Sequence, residues 1–221
     1  MNRRFVLLGT AITALAAFAG GKYWVDQKEL QNAKAEAEKQ ALAAAEDTVL
    51  VRPHSPIIGN PKAPVTIVEF FDPSCEACRA FHPFVKAIVE ENGEKVRVVL
   101  RYTALHQGSD EAVRILETAR LQNVFEPVLG AILDRQPEWA MHDGPNLETA
   151  WSIAGEAGLD VAKGKIDRMQ PGIVSVLNTD AADVATVGIQ QTPTFFVNGK
   201  PLTDFGPEGL RALVKAEVDA L

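Results

Sequence analysis

The clearest hydrophobic patterning begins at residue 65. VTIVEFF (65–71) is an unbroken β-rich run, the length of a strand buried on both faces, with one carboxylate, Glu69, inside it. The turn Asp72-Pro73-Ser74 hands over to a different period. Cys78, Phe81, Val85, Ile88 and Val89 recur every three or four residues, which predicts a helix that ends at Gly93. KVRVVLRY (95–102) returns to a strand pattern. A strand, a helix and a second strand in about 40 residues make a βαβ unit.

From about 109 to 188 the pattern is helical, punctuated by caps and breakers. Ser109 or Asp110 opens one helix and Asn123 lies near the start of a second. Asp143-Gly144-Pro145 precedes a third, Gly158 and Asp160 set off a fourth, and Pro171-Gly172 precedes a fifth. The β pattern then returns in TPTFFVNGKPL (192–202): an apolar strand, an Asn198-Gly199 turn and a second short strand. Asn-Gly between strands is a strong hairpin signal. A last helix, 207–220, has Pro207 in its first turn and Leu210, Leu213, Val214 and Val218 on one face. The order is βαβ, an all-helical insertion, then ββα.

Two segments of different character precede this body, separated from it by the Pro-rich RPHSPIIGNPKAP (52–64). Phe5–Ala19 is an apolar run behind Arg3 and Arg4, and Ala17-Phe18-Ala19 offers a small-x-small cleavage site, so residues 1–25 read as a signal peptide. The alternative is an uncleaved N-terminal membrane anchor. The stretch 5–25 would be roughly 31 Å long as a helix, with Tyr23 and Trp24 at the outer interface. Either fate places the body in the periplasm, soluble after cleavage or tethered to the inner membrane. Residues 26–46 are mostly Ala, Glu, Lys, Gln and Leu, all good helix formers. Leu30, Ala33, Ala37 and Ala44 fit a heptad seam that Gln40 interrupts, so this segment is a solvated helical spacer or a weak homo-oligomerisation stalk.

Composition narrows the function. With 47% hydrophobic and 23% charged residues, the chain can build one sizeable core. A net charge of −7 argues against a nucleic-acid partner, which needs a basic face. The chain holds 2 cysteines, Cys75 and Cys78, within one helical turn. A bridge closing so small a loop constrains little of the unfolded chain, which leaves a redox switch or a metal half-site. At the strand-to-helix junction Cys75 falls at a helix N-terminus, where free N–H groups and the dipole favour a thiolate. Cys78 falls on the buried stripe. One exposed, acidified sulfur can attack a disulfide and the shielded one can resolve the product. A metal site needs further ligands, from His54, His82, His106 or His142. His82 alone is near in sequence, giving Cys-x2-Cys-x3-His. A zinc or copper binding module is therefore the alternative of a different class. Glu69, if buried, must be paired, for example with Arg101, or have its pKa raised.

From SPIIGNPKAPVTIVEFFDPSCEACRAFHP to the C-terminal helix, residues 55–221, the chain resembles the DsbA-like thiol–disulfide oxidoreductases of the thioredoxin superfamily. VEFFDPSCEAC early, a helical insertion, and TPTFFVNG late carry the likeness. The resemblance implies an α/β thioredoxin fold with the helical insertion, about 109–188, between its two halves; the segment 1–25 and the helical spacer or stalk at 26–47 precede it. It implies that Cys75 and Cys78 form a redox-active disulfide, that Pro193 is a cis proline, and that the backbone of Thr192 binds a substrate strand. It implies that Glu69 helps move the proton of the resolving cysteine, and that Pro83 lies within the active-site helix. No bound cofactor and no metal are implied. The partners implied are exported proteins with cysteines and a membrane redox protein.

The dipeptide between the cysteines bears on direction. Strongly oxidising members carry Pro-His there, whereas this chain has Glu76-Ala77. A carboxylate beside Cys75 is expected to disfavour the thiolate and so to weaken the oxidant. Thr192 also resembles the isomerase members. An oxidase is the leading expectation and an isomerase or reductase, kept reduced by a membrane partner, is the alternative.

Overall fold

A computed structural model describes residues 27–32, 34 and 49–221. The chain divides into two units, Met1–Glu46 and Asp47–Leu221. In the first, the described residues are helical and exposed. The expected signal or anchor at 1–25 and most of the spacer lie outside the described residues. Among the described residues no helix is long and apolar enough to cross a membrane.

The second unit is built on a five-stranded sheet in the order β1-β3-β2-β4-β5. The seven-residue strands β2 (Val65–Phe71) and β3 (Val96–Tyr102) are its centre, parallel and buried along most of their length. β4 (Thr194–Val197) pairs antiparallel with β2, and β5 (Lys200–Pro201) with β4. Asn198 (φ 47°) and Gly199 (φ 77°) form the turn between them, both in the left-handed region that such hairpin turns require. Asn198 also closes the end of β2, its side-chain oxygen accepting from the Thr66 N–H at 2.9 Å. β1 (Ile57–Gly59) pairs antiparallel with β3. Sequence patterning places no strand there, because three residues between prolines are too few to show a period.

Helix α1 (Glu76–Asn92) connects β2 to β3, with Cys78, Phe81, Val85, Ile88 and Val89 buried and Pro83 inside it. Between β3 and β4 come α2 (Ser109–Leu121), α3 (Phe125–Asp134), a single turn α4 (Gln136–Trp139), α5 (Leu147–Glu156), α6 (Val161–Asp167) and α7 (Pro171–Val187). The chain closes with α8 (Pro207–Asp219). This is the expected helical insertion, with one further short helix, α4. Trp139 and Trp151 are core residues, their ring N–H groups donating to Ile132 O and Glu111 Oε1.

Strand alternation gives the sheet two different faces. Val65, Ile67, Phe71, Val98, Leu100 and Tyr102 join the inner faces of α1 and α8 and the helical insertion in one continuous core. Val68, Phe70, Val99 and Phe196 face the other way and pack with Ile189 and Val184. Arg101 lies on that second face. It is fully buried and bonds Asp180 Oδ1 at 2.8 Å and Asp183 Oδ2 at 2.6 Å, both on α7, as well as the Val49 carbonyl. Glu69 is paired in register with Leu100, not with Arg101, so it lies on the opposite face from this cluster. The suggested Glu69–Arg101 pair therefore does not form.

Candidate functional site

The site lies where β2 hands over to α1. Asp72, Pro73 and Ser74 turn the chain, and Cys75 is the N-cap of α1 in extended conformation (φ −77°, ψ 123°). The Cys75 N–H donates to Asp72 O at 3.1 Å, and Cys78, one turn on, is fully buried. Both cysteines are free thiols, so this is the dithiol state. The Thr192–Pro193 bond is cis, and that loop lies against the sulfur: Cys75 Sγ donates to Thr192 O at 3.2 Å.

The two sulfurs have opposed acidities. A hydrogen bond from Cys78 is the largest influence on Cys75. Against the opposing cost of burial, it combines with the Thr192 side chain and the N–H groups of Cys78 and Ala77 to lower the Cys75 pKa to about 5. Burial first, then donation to Cys75 and the Glu69 charge, push Cys78 far above an ordinary thiol. The Thr192 hydroxyl is buried and, among the described residues, has no hydrogen-bond partner while Cys75 donates to the carbonyl of Thr192. Once Cys75 ionises, that hydroxyl is a donor free to serve it. Glu76 does not have the expected influence. Its side chain is exposed, with Oε1 at 3.5 Å from His142 Nε2, and the Cys78 hydrogen bond is what governs the Cys75 acidity.

Glu69 is 3% exposed on the same face of β2 as the active-site helix. Burial, and then the charge of Cys75, raise its pKa to about 8, so it carries a proton at neutral pH. It opens onto a cleft of about 610 Å³ between β2, α1 and α3, lined also by His82, Lys86 and Asp134. His82 therefore faces this cleft, and burial lowers its pKa. Of the other histidines proposed as metal ligands, His54 lies 2.7 Å from Asp180, His106 2.7 Å from Asp72, and His142 beside Glu76. Among the described residues no three His, Cys, Asp or Glu side chains converge to hold a metal ion.

Three residues that sequence patterning reads only as turn, cap or surface residues help to build the site. Asp72 is fully buried and its carboxylate accepts from the Ser74 N–H, Ser109 Oγ, Leu105 N–H and His106 N–H, besides the His106 ring. Ser109 Oγ also lies 2.8 Å from Ser74 Oγ. Gln136, on α4, donates to Pro73 O at 2.8 Å and Cys75 O at 3.0 Å, so the insertion clamps the turn that presents Cys75. Asp-Pro-Ser before a helix is the only local hint, and it says "turn" rather than "site". The approach of Gln136 depends on packing between segments some 60 residues apart in sequence.

Comparison with known proteins agrees with this geometry. The thioredoxin family model matches residues 51–216. A thioredoxin-like oxidoreductase from Silicibacter pomeroyi DSS-3 superposes with a TM-score of 0.66 at 31% identity, over 79% of this chain and 95% of that one. The Na(+)/H(+) antiporter NhaA of Herminiimonas arsenicoxydans is 30% identical over 146 residues, 66% of this chain; the match spans only 22% of the antiporter's length. A protein of Rickettsia prowazekii, named provisionally as a protein-disulfide oxidoreductase, is 24% identical over 83% of this chain and 69% of its own. The family match covers three quarters of the chain, with the helical insertion lying between the two halves of the fold, and the chain belongs to the thioredoxin family.

Proposed function

We propose that this protein is a periplasmic thiol–disulfide oxidoreductase that donates its Cys75–Cys78 disulfide to exported proteins. The observation that carries the reading is the pairing of an acidified Cys75 at the start of α1 with a buried Cys78 that holds its proton. In the donor direction a substrate thiolate attacks Cys75 Sγ. The Cys75–Cys78 bond breaks and a mixed disulfide forms. Cys78 leaves with the electron pair and takes a proton, for which protonated Glu69 is the nearby source. A second substrate thiolate then attacks the substrate sulfur of the mixed disulfide and releases Cys75 as a thiolate. A membrane redox protein accepts the two electrons and restores the disulfide. Thr192 and the cis Pro193 flank Cys75 and position the substrate strand.

The thiolate supports the donor direction. A Cys75 pKa of about 5 stabilises the reduced form at pH 7 by about a hundredfold over an ordinary thiol, roughly 60 mV toward the oxidant. An isomerase or reductase would use the same stabilised dithiol, kept reduced by a membrane partner, and the reduction potential separates the two. The reading is tested by Cys78→Ser in cells that export the protein. Cys75 then captures substrates and cannot release them, so mixed disulfides that dissolve in dithiothreitol accumulate, and Cys75→Ser gives none. If Cys78→Ser captured no exported protein and folded protein bound zinc or copper(I) stoichiometrically, the redox reading would fall to the metal one.

A further inference from the structure

The dipeptide between the cysteines has no histidine, yet a histidine from another segment, His106, lines the same cleft as Cys75. His106 lies in the loop between β3 and α2. Its Nδ1 is 2.7 Å from Asp72 Oδ2, and its own N–H donates to the same oxygen at 3.1 Å. The Asp72 carboxylate is itself immobilised by Leu105 N–H at 2.8 Å, Ser74 N–H at 2.8 Å and Ser109 Oγ at 2.5 Å. A carboxylate on Nδ1 fixes the tautomer and leaves Nε2 as the working nitrogen. The ring is half exposed. With Cys75, Glu76, Ala77 and Met141 it lines a separate cleft of about 360 Å³. An exposed histidine with no task does not need a fully buried aspartate to aim it.

We infer that His106, aimed by Asp72, is a catalytic acid–base residue that takes the proton of the attacking substrate thiol on Nε2 and then stands as imidazolium beside the Cys75 thiolate. This rests on the thiol–disulfide reading above and deepens it. The substrate is a dithiol segment whose sulfurs are neutral thiols at neutral pH, since a free cysteine ionises near pH 8.5. Two thiol protons and two electrons leave that dithiol. The electrons reduce the Cys75–Cys78 bond, Cys78 takes its proton from Glu69, one substrate proton ends on His106, the other passes through water to restore Glu69, and Cys75 departs as the thiolate. Atoms and charge then balance, the enzyme having gained two electrons and two protons that it gives up when its disulfide is restored.

The charged groups facing His106 are Asp72, from the turn before α1, and Cys75 and Glu76, at the start of α1; His142 lines the far wall of the cleft. Burial disfavours the imidazolium, but the Asp72 bond and the charges of Asp72, Cys75 and Glu76 outweigh it and raise the pKa above the usual histidine value. The Cys75 contribution exists only in the dithiol state, so proton uptake by His106 is coupled to reduction.

Stopped-flow oxidation of a dithiol peptide by the disulfide form, followed from pH 5 to 9, tests this. Wild type shows a histidine inflection in its rate. In His106→Gln the inflection disappears and the rate at pH 7 falls by roughly a hundredfold, the lower end of what a positioned acid–base group supplies. Added imidazole restores part of the rate in His106→Ala, which a merely structural histidine would not permit. A folded His106→Gln with the wild-type profile overturns the inference and leaves the oxidoreductase reading intact if Cys78→Ser still traps substrates. Should both variants misfold, NMR titration of His106 in wild type decides: its pKa is higher in the dithiol than in the disulfide form, and equal values overturn the inference.

Discussion

Glu69 keeps its proton because it is buried on its face of β2 and lies close enough to Cys75 to feel that charge. Its register partner is Leu100, and Arg101 points away to Asp180 and Asp183. The folded pKa of about 8 lies above the ordinary carboxyl value of 4.5, so the folded state binds this proton more tightly than the unfolded chain does. The associated stability is fully present below about pH 4.5 and is lost as pH rises through about 8. Its full size is on the order of 5 kcal/mol as an upper limit. In urea unfolding of the dithiol form, Glu69→Gln therefore loses less stability than wild type between pH 5 and pH 8.5; parallel losses would show that Glu69 ionises normally. Cys75, whose folded pKa is lowered, has the opposite dependence and is present in both proteins, so the difference reads Glu69 together with its coupling to the Cys75 charge. Cys75, Cys78 and Thr192-Pro193 stand out in the sequence because their pattern is local. Asp72, Ser109 and His106 do not, since their meaning arises only where the β2–α1 turn meets the β3–α2 loop.

At the scale of elements, the far face of the sheet is held by charge rather than by hydrophobic packing alone. Arg101 joins β3 to α7 through Asp180 and Asp183, and Arg52 and His54 add the segment that leads into β1. Asp180 Oδ2 also accepts from the Tyr102 N–H at 2.8 Å, which closes the end of β3. Removing one member of a buried ion cluster strands the others, at a typical cost of 3–5 kcal/mol. Arg101→Met is accordingly expected to lower the unfolding free energy by about 3 kcal/mol or more while leaving the Cys75 pKa unchanged. Thermal unfolding and thiolate absorbance check the two parts, and a shifted thiolate titration would mean that the two faces of the sheet are coupled. Long periodic elements such as β2, α1, β3 and α8 are legible in the sequence. β1 and α4 are too short to show a period, and two buried aspartates on α7 look like surface residues until Arg101 is placed beside them.

As a whole, the molecule sets a rigid sheet beneath one reactive turn and uses its helical insertion to hold that turn. Gln136 clamps it from α4, the Thr192–Pro193 loop faces it from the head of β4, and Asp72 ties it to the start of α2. None of these contacts blocks Cys75 from the cleft beside it. The central claim is that this framework stabilises the dithiol by ionising Cys75, so that the disulfide is a donor. The most direct test is the reduction potential of the Cys75–Cys78 pair, equilibrated with glutathione buffers at pH 7. The account predicts a value above about −200 mV, toward the roughly −120 mV of strong disulfide donors. A value near about −270 mV, where reducing thioredoxins lie, would contradict it.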